Sequence, residues 1–253
     1  MLHRDDLLWA LAQIHVAAPV RADEVTGSTN AGAQEMAAAG APEWTLVAAG
    51  HQTAGRGRMG RTWEDVTGSA LLFSLVLRPA LASNRVGLLS LLAGASMADA
   101  IRDLTGRQVT CKWPNDLLLD ERKVGGILAE TEVRDGRIAH VVLGIGVNLR
   151  APAGVEGATG IGDGTSLRDL LGGFLVRFEE TYTADEPSWE ERARGAWLPI
   201  SATIGRLVEA TTVKGERTRG RAIGIDDFGG LQLSTDAGEA RVAFGEITHL
   251  ATG

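Results

Sequence analysis

Closely spaced apolar runs joined by short turns limit how this chain can fold. Residues 117–119 and 123–131 flank a polar turn, and a second turn at Asp135 and Gly136 precedes an apolar run at 138–147. Turns this short join antiparallel neighbours, whereas parallel strands need a crossover of a dozen or more residues. We therefore expect an α+β fold with a mixed, largely antiparallel central sheet rather than a doubly wound one.

Helical and strand patterns divide the rest of the chain into two parts. Helices are predicted at 5–16, 87–104, 167–182 and 189–197, and another helix is predicted to begin after an N-cap at Ser28 or Thr29. Further strands are predicted at 20–25, 45–49, 70–77 and 108–112. Five short strands with Gly and Asp turns follow residue 204, at 207–211, 219–225, 231–234, 240–244 and 247–250. This second pattern is typical of a small β-barrel, so we expect a domain at 1–200 and another at 201–253.

Residues 52–63 form neither a strand nor a helix pattern, because three arginines and three glycines lie between Gln52 and Trp63. Glycine allows backbone N–H groups to approach a ligand closely, and arginine presents a planar charged fork to carboxylate or phosphate. We interpret this Arg/Gly loop as a mobile lid over an anionic ligand, disordered until the ligand binds. A solvated surface connection and an RNA-contacting segment remain alternatives.

Charge and composition narrow the classes of function. The net charge of −7 argues against non-specific binding to nucleic acid, which requires a basic surface. The single cysteine, Cys111, excludes an internal disulfide and a multi-cysteine metal site. Asp5 and Asp6 lie where a signal peptide would be basic, and no apolar run reaches the ~18 residues of a membrane span. We therefore expect a cytoplasmic protein that binds no membrane.

Three motifs occur in order and together are far more specific than any one alone. They are the Arg/Gly loop, the run KWPND at 112–116 and the run RKVGGILAE at 122–130; Ser28-Thr29-Asn30 precedes them and the run GIGVN at 144–148 follows. This set resembles the biotin protein ligases, whose pattern is a GRGRxGRxW loop, then KWPND, then K[LV]xGIL. The resemblance extends over essentially the whole chain, and the C-terminal strands resemble that family's SH3-like β-barrel.

The resemblance implies a two-step acyl transfer with ATP, biotin and Mg²⁺. Biotin and MgATP would give biotinyl-5′-AMP, and a lysine of a biotin carboxyl carrier protein domain in a biotin-dependent carboxylase would then accept the biotin. The residue types suit this reaction, because joining a carboxylate to a phosphate requires dense positive charge. A lid also suits it, because the adenylate must be kept from water.

The resemblance assigns roles to residues that match the motifs. Its biotin contacts correspond to Ser28, Thr29, Asn30, Gln52, Gly55, Arg56, Gly57, Arg58, Lys123, Gly125 and Gly126. Its ATP and adenylate contacts correspond to Arg56, Arg58, Arg61, Trp63, Lys112, Asn115 and Asn148. The catalytic candidates are Arg58, Lys112, Lys123 and Asp116, with Asp116 also the candidate Mg²⁺ ligand. From the residues alone, Lys112 could instead be solvated and Asp116 could pair with Lys112 or bond to the turn at Asn115.

Two departures and two alternatives qualify this hypothesis. Some relatives carry an N-terminal DNA-binding domain, but only 27 residues precede Ser28 here, so we expect no DNA binding. Phe244 stands where a small residue is expected. Lipoate and octanoate ligases and transferases share the catalytic architecture, and a non-catalytic binding module is an alternative from another class. The sequence does not decide between a monomer and a weak homodimer formed through sheet edges.

Overall fold

The computed structural model describes residues 1–183, 188–212 and 214–250. The last three residues of the predicted C-terminal domain, 251–253, lie outside these ranges. Helices and strands are intermixed along the first 200 residues, and strands follow. The helices are α1 (Arg4–Ala12), α2 (Thr29–Ala38), α3 (Gly87–Thr105), α4 (Leu167–Tyr182) and α5 (Trp189–Trp197). The strands are β1 (Val20–Asp23), β2 (Leu46–Ala49), β3 (Ala70–Leu77), β4 (Thr110–Lys112), β5 (Asp116–Leu119), β6 (Arg122–Arg134), β7 (Arg137–Asn148), β8 (Leu207–Thr211), β9 (Arg217–Ile225), β10 (Leu231–Thr235), β11 (Gly238–Val242) and β12 (Glu246–His249).

The central sheet has the mixed, largely antiparallel arrangement expected from the short turns. Over the described ranges its strand order is β1-β2-β3-β7-β6-β5-β4, and only the β1–β2 ladder is parallel. The β6–β7 hairpin turns at Asp135 and Gly136, where φ is 52° and 74°. Two consecutive positive φ values give the turn a twist that matches the flanking strands. The α+β prediction is confirmed.

The two faces of the sheet pack against different helices because successive strand side chains point to opposite sides. Leu46, Leu75 and Leu143 belong to the main core, which also holds buried residues of α1, α3, α4 and α5. Their neighbours Val47, Val76 and Val142 form a smaller cluster with Ala33 and Ala37 of α2. The helix α2 therefore lies on the other face of the sheet.

The C-terminal strands form an antiparallel sheet that is tied to the central one. Its order over the described residues is β11-β10-β9-β8-β12, without a β11–β12 ladder that would close a barrel. Residue Ala202 donates to the Cys111 carbonyl at 2.8 Å, and Trp113 Nε1 donates to the Gly229 carbonyl at 2.9 Å. Trp113 is 1% exposed, so it serves as scaffold between the two sheets.

No helix within the described ranges is both long enough and apolar enough to cross a membrane. Cys111 is buried in the main core, and this burial raises the pKa of its thiol. A buried thiol packs as a small apolar side chain.

Candidate active site

A cavity of about 150 Å³ is lined by segments that are far apart in the sequence. They come from the start of α2, the Arg/Gly loop, the KWPND run, β6, β7 and β12. Most of the residues predicted for the site line it: Ser28, Thr29, Asn30, Gln52, Arg56, Gly57, Arg58, Arg61, Trp63, Lys112, Asn115, Asp116, Lys123 and Gly126. The fold therefore brings the separate motifs to one place.

The Arg/Gly loop is folded back on itself rather than extended. Gly57 N donates to the Arg61 carbonyl at 2.7 Å, and Trp63 N donates to the Gly55 carbonyl at 3.0 Å. Met59 and Gly60 turn the chain, with φ of 53° and 75°. A glycine is required at position 55, because a Cβ there would lie 2.6 Å from the Trp63 carbonyl oxygen. One short hairpin therefore carries Arg56, Arg58 and Arg61, and all three line the cavity.

The glycines of the GIGVN run make room for two site residues. A Cβ on Gly144 would lie 2.0 Å from Oδ1 of Asn30, and a Cβ on Gly146 would lie 2.7 Å from the Trp63 ring. Both glycines lie on β7, two residues apart, and so face the same side of the sheet. Their missing side chains let Asn30 and Trp63 lie directly on the strand.

A hydrogen-bonded cluster connects the start of α2 to Gln52 and β3. Gln52 Oε1 accepts from the backbone N of Thr29 at 2.8 Å, and Thr29 Oγ1 lies 3.1 Å from the same oxygen. Ser74 Oγ lies 2.8 Å from Thr29 Oγ1 and 2.6 Å from Asn30 Oδ1. Ser28 is at the N-cap position, but its side chain makes no capping hydrogen bond within the described structure. Gln52 thus satisfies a free N–H of the helix in place of a local cap.

The KWPND run and β6 contribute a second polar cluster. Lys123 Nζ lies 2.6 Å from Asp116 Oδ1, and Arg58 Nη1 donates to Asn115 Oδ1 at 3.4 Å. Asn115 Nδ2 in turn donates to the Ile127 carbonyl at 2.7 Å. The partner of Asp116 is therefore Lys123, not Lys112 as one sequence alternative had it. These contacts hold two cationic groups and one carboxylate at the cavity wall.

The cavity carries a local positive charge on an acidic protein. Among the described lining residues, five cations face two carboxylates: Arg56, Arg58, Arg61, Lys112 and Lys123 against Asp116 and Glu246. Burial lowers the pKa of the Arg58 guanidinium, and Glu246 and Asp116 oppose that shift. Arginine remains charged near neutral pH even so. The cavity is therefore suited to an anionic ligand.

Three predicted residues lie outside the lining of this cavity. Gly55 packs beneath Trp63, and a Cβ on Gly125 would lie 2.8 Å from the Gly146 carbonyl oxygen, so both act through close backbone packing. Asn148 is 4% exposed and lines an adjoining cavity of about 410 Å³, which Trp63 and Lys123 also line. The two cavities therefore adjoin at Trp63 and Lys123.

Similarity to known proteins decides the family. A biotin-bound mutant of Aquifex aeolicus biotin protein ligase superposes with a TM-score of 0.76 at 25% identity, covering 92% of this chain and 99% of that one. The bifunctional ligase/repressor BirA of Bacillus subtilis is 33% identical over 234 residues, which are 88% of this chain and 72% of BirA. Biotin–[acetyl-CoA-carboxylase] ligase of Paracoccus denitrificans is 34% identical over 241 residues, covering 88% of this chain and 97% of that protein. The chain belongs to the biotin protein ligase family.

Two family profiles match the two parts of this biotin protein ligase family member. The biotin/lipoate A/B protein ligase family matches residues 23–148, and the biotin protein ligase C-terminal domain matches residues 203–250. The first range contains the predicted site residues, and the second contains β8 to β12.

Sequence reasoning missed three polar residues that this family member places at the site. Ser74 lies in a buried strand, Glu130 ends the third motif and Glu246 belongs to the C-terminal sheet. Glu130 contacts Asn30 and Arg56, while Glu246 pairs with Arg61. A lone serine in the apolar strand 70–77 and a glutamate directly after an apolar run were the available signals.

Proposed function

We propose that this protein activates biotin with MgATP to biotinyl-5′-AMP and then transfers the biotin to a lysine of a carrier protein. The observation that carries the proposal is the meeting of the Arg/Gly loop, Lys123 and the hydrogen-bonded cluster at Thr29 and Asn30 around one cavity. Family membership supports the same reaction.

In the first step, a carboxylate oxygen of biotin attacks the α-phosphorus of ATP and pyrophosphate leaves. Both reactants are anions, so the site must offset their repulsion. Lys123, Arg58 and Lys112 line the cavity, and Lys123 and Arg58 are held there by Asp116 and Asn115. We assign these cations to the carboxylate and phosphate oxygens, with Arg56 and Arg61 binding the adenylate.

The neutral polar cluster suits the head group of biotin, which offers ureido N–H and C=O groups. We assign Ser28, Thr29, Asn30 and Gln52 to these groups, with Gly57 and Gly126 allowing the backbone to come close. Thr29 and Asn30 are 4% exposed, and their hydrogen bonds to Gln52, Ser74 and Glu130 fix the direction of the polar groups that a ligand would meet. The adjoining cavity at Asn148, with Trp63 at its wall, is assigned to the nucleotide.

Magnesium enters this proposal as part of the MgATP substrate. The described residues contain no group of three His, Cys, Asp or Glu side chains placed to hold a metal ion. Asp116 is one of two carboxylates among the described lining residues, and the other, Glu246, pairs with Arg61. Mg²⁺ is commonly held by one or two carboxylates together with substrate phosphates. This donor set fits a metal that arrives with ATP rather than a resident one.

In the second step, the amine of the acceptor lysine attacks the carbonyl carbon of the adenylate, AMP leaves and the amine loses a proton. We propose the biotin carboxyl carrier domain of a biotin-dependent carboxylase as acceptor, which the name of the Paracoccus relative supports. We further propose a cytoplasmic protein that binds no DNA and is a monomer or weak homodimer. Its catalytic domain spans 1–200 and its C-terminal domain 201–253.

Biotin-dependent exchange of labelled pyrophosphate into ATP tests the first step. Octanoate and lipoate are run in parallel, because the matching family profile includes lipoate ligases. We expect exchange with biotin alone, followed by labelling of a purified carrier domain. Exchange with octanoate or lipoate instead would overturn the substrate assignment, and no exchange with any acid would overturn the enzymatic function.

A further inference from the structure

Glu130 connects two parts of the site that are far apart in the sequence. Its Oε2 accepts from Asn30 Nδ2 at 2.7 Å, and its Oε1 lies 3.0 Å from Arg56 Nη1. Asn30 lies in the first turn of α2, Arg56 belongs to the Arg/Gly loop and Glu130 lies on β6. One carboxylate therefore joins the loop to the hydrogen-bonded cluster, with each oxygen serving a different partner.

The contact with Asn30 determines how its amide is oriented. Asn30 can present either an acceptor oxygen or a donor NH₂ group in a given direction, whereas an ionised carboxylate only accepts. Glu130 therefore requires the NH₂ group on its side, which leaves Oδ1 of Asn30 beside Ser74 and Gly144. The Leu128 carbonyl also accepts from Asn30 Nδ2, at 3.4 Å, so Glu130 reinforces this orientation with the shorter, charge-assisted bond.

The contact with Arg56 restrains the loop. The Arg56 side chain is 43% exposed, so this ion pair alone contributes little to overall stability. Its effect is local, and it adds to the contacts that Arg58 makes with Asn115 and Arg61 makes with Glu246. A restrained guanidinium loses less conformational freedom when the ligand binds, and this favours the state in which the Arg/Gly loop covers the ligand.

We propose that Glu130 is a positioning residue that couples closure of the Arg/Gly loop to recognition of the biotin head group. This inference rests on the proposed function, because it assigns Asn30 to the head group and Arg56 to the adenylate. Glu130 itself touches neither reacting group. It acts by fixing the amide of Asn30 and the guanidinium of Arg56.

The test compares Glu130→Ala and the isosteric Glu130→Gln with Glu132→Ala. Glu132 lies two residues further along β6 and pairs with the exposed Arg134, so it controls for loss of a carboxylate on that strand. Pyrophosphate exchange gives the KM for biotin, and release of preformed adenylate from the purified enzyme gives its rate of loss. Neither value depends on the fraction of protein that is folded.

For both Glu130 variants we expect the KM for biotin and the rate of adenylate loss to rise by about threefold to tenfold, as for loss of a charge-assisted hydrogen bond. We expect the Glu132 variant to match the wild type. In an Arg56→Ala background, Glu130→Gln should no longer change adenylate loss, because its partner is gone. The KM effect should persist there, since it acts through Asn30.

Glu130 variants with the KM and adenylate loss of the Glu132 variant would overturn the inference. An unchanged effect on adenylate loss in the Arg56→Ala background would overturn the loop half of it. Failure of the proposed function gives a different result, because the wild type itself would then show no biotin-dependent exchange.

Discussion

Lys123 Nζ lies 2.6 Å from Oδ1 of Asp116, and both side chains line the same cavity. In the antiparallel β5–β6 pair Asp116 is opposite Gly126, and the Lys123 side chain extends along β6 over Gly126 to reach it. The salt bridge holds the ammonium group at the cavity wall before any ligand is present. A preoriented charge needs little reorganisation when two anions are brought together.

Replacing Lys123 by Met should therefore slow adenylate formation strongly. We expect a loss of ~100-fold or more in the pyrophosphate exchange rate, comparable to removal of a preorganised charge donor. Folding should change little, because Lys123 is partly exposed. Lys214→Met, at an exposed position in the C-terminal region, is the matched control. Exchange that stays within twofold of the wild type would contradict the role assigned to Lys123.

Replacing Asp116 by Asn separates two possible roles of the carboxylate. If Asp116 also takes the proton from the acceptor lysine, this variant should slow transfer from preformed adenylate by ~100-fold, the usual scale of general base catalysis. Single-turnover transfer to a carrier domain measures this step alone. A variant that slows adenylate formation but transfers preformed adenylate at the wild-type rate would show that Asp116 is not the base.

Adding one methyl group at Gly144 should damage ligand binding without touching a charged residue. The new Cβ would lie 2.0 Å from Oδ1 of Asn30, so Asn30 must move away from β7. We expect Gly144→Ala to raise the KM for biotin by about tenfold or more, as for a buried hydrogen bond left unmade. Gly195→Ala, which meets nothing within 4 Å, should leave the KM unchanged. Equal KM values for the two variants would contradict this explanation.

The stability of the protein should fall in acid partly through His249. Burial, with Lys112 and Arg206, lowers the pKa of this histidine to about 4 against an opposing effect of Glu121. In the unfolded chain the ordinary value of 6.5 applies. Between these values the unfolded state binds the extra proton, so this contribution is complete above pH 6.5 and is lost as the pH falls towards about 4.

The prediction for His249 is measured as the melting temperature at two pH values. Between pH ~7.5 and pH ~5, the decrease should be smaller for His249→Leu than for the wild type by about 2–4 °C, the shift expected for ~1 kcal/mol in a chain of this size. His15→Asn, at an exposed histidine, should keep the wild-type decrease. Identical decreases for the wild type and the Leu variant would show that His249 does not contribute.

The Arg/Gly loop should be protected by its ligands. Arg61 is 71% exposed and Arg56 is 43% exposed, so trypsin has access to the hairpin. We expect biotin with ATP to slow cleavage within residues 55–61, because a loop that closes over a ligand opens less often. Mass spectrometry of the fragments identifies the cut positions. Cleavage at the same rate with and without ligands would contradict the lid interpretation.

The sequence alone determined the order and type of the elements and the chemistry of the site. Strand β3 and helices α4 and α5 occupy the predicted residues, because β3 is a short continuous apolar run and each helix has a local boundary and an apolar face. The motifs identified the arginines and lysines of the cavity, since residue type and spacing are properties of the chain itself. The C-terminal strands were predicted to form a barrel, but over the described residues they form an open sheet. Strand pairing depends on contacts that local patterns do not specify.

Only the tertiary structure decided which residues meet. Glu130 and Asn30 are 100 positions apart, and Arg61 and Glu246 are 185 apart. Glu130 follows an apolar run. Whether it faces solvent or an oppositely charged side chain depends on the register of β6 with β7 and on the fold of the loop. Gly144 and Gly146 are recognisable as glycines in the sequence, but the side chains that need their space come from α2 and the loop. Long-range packing sets these distances, and no local pattern encodes them.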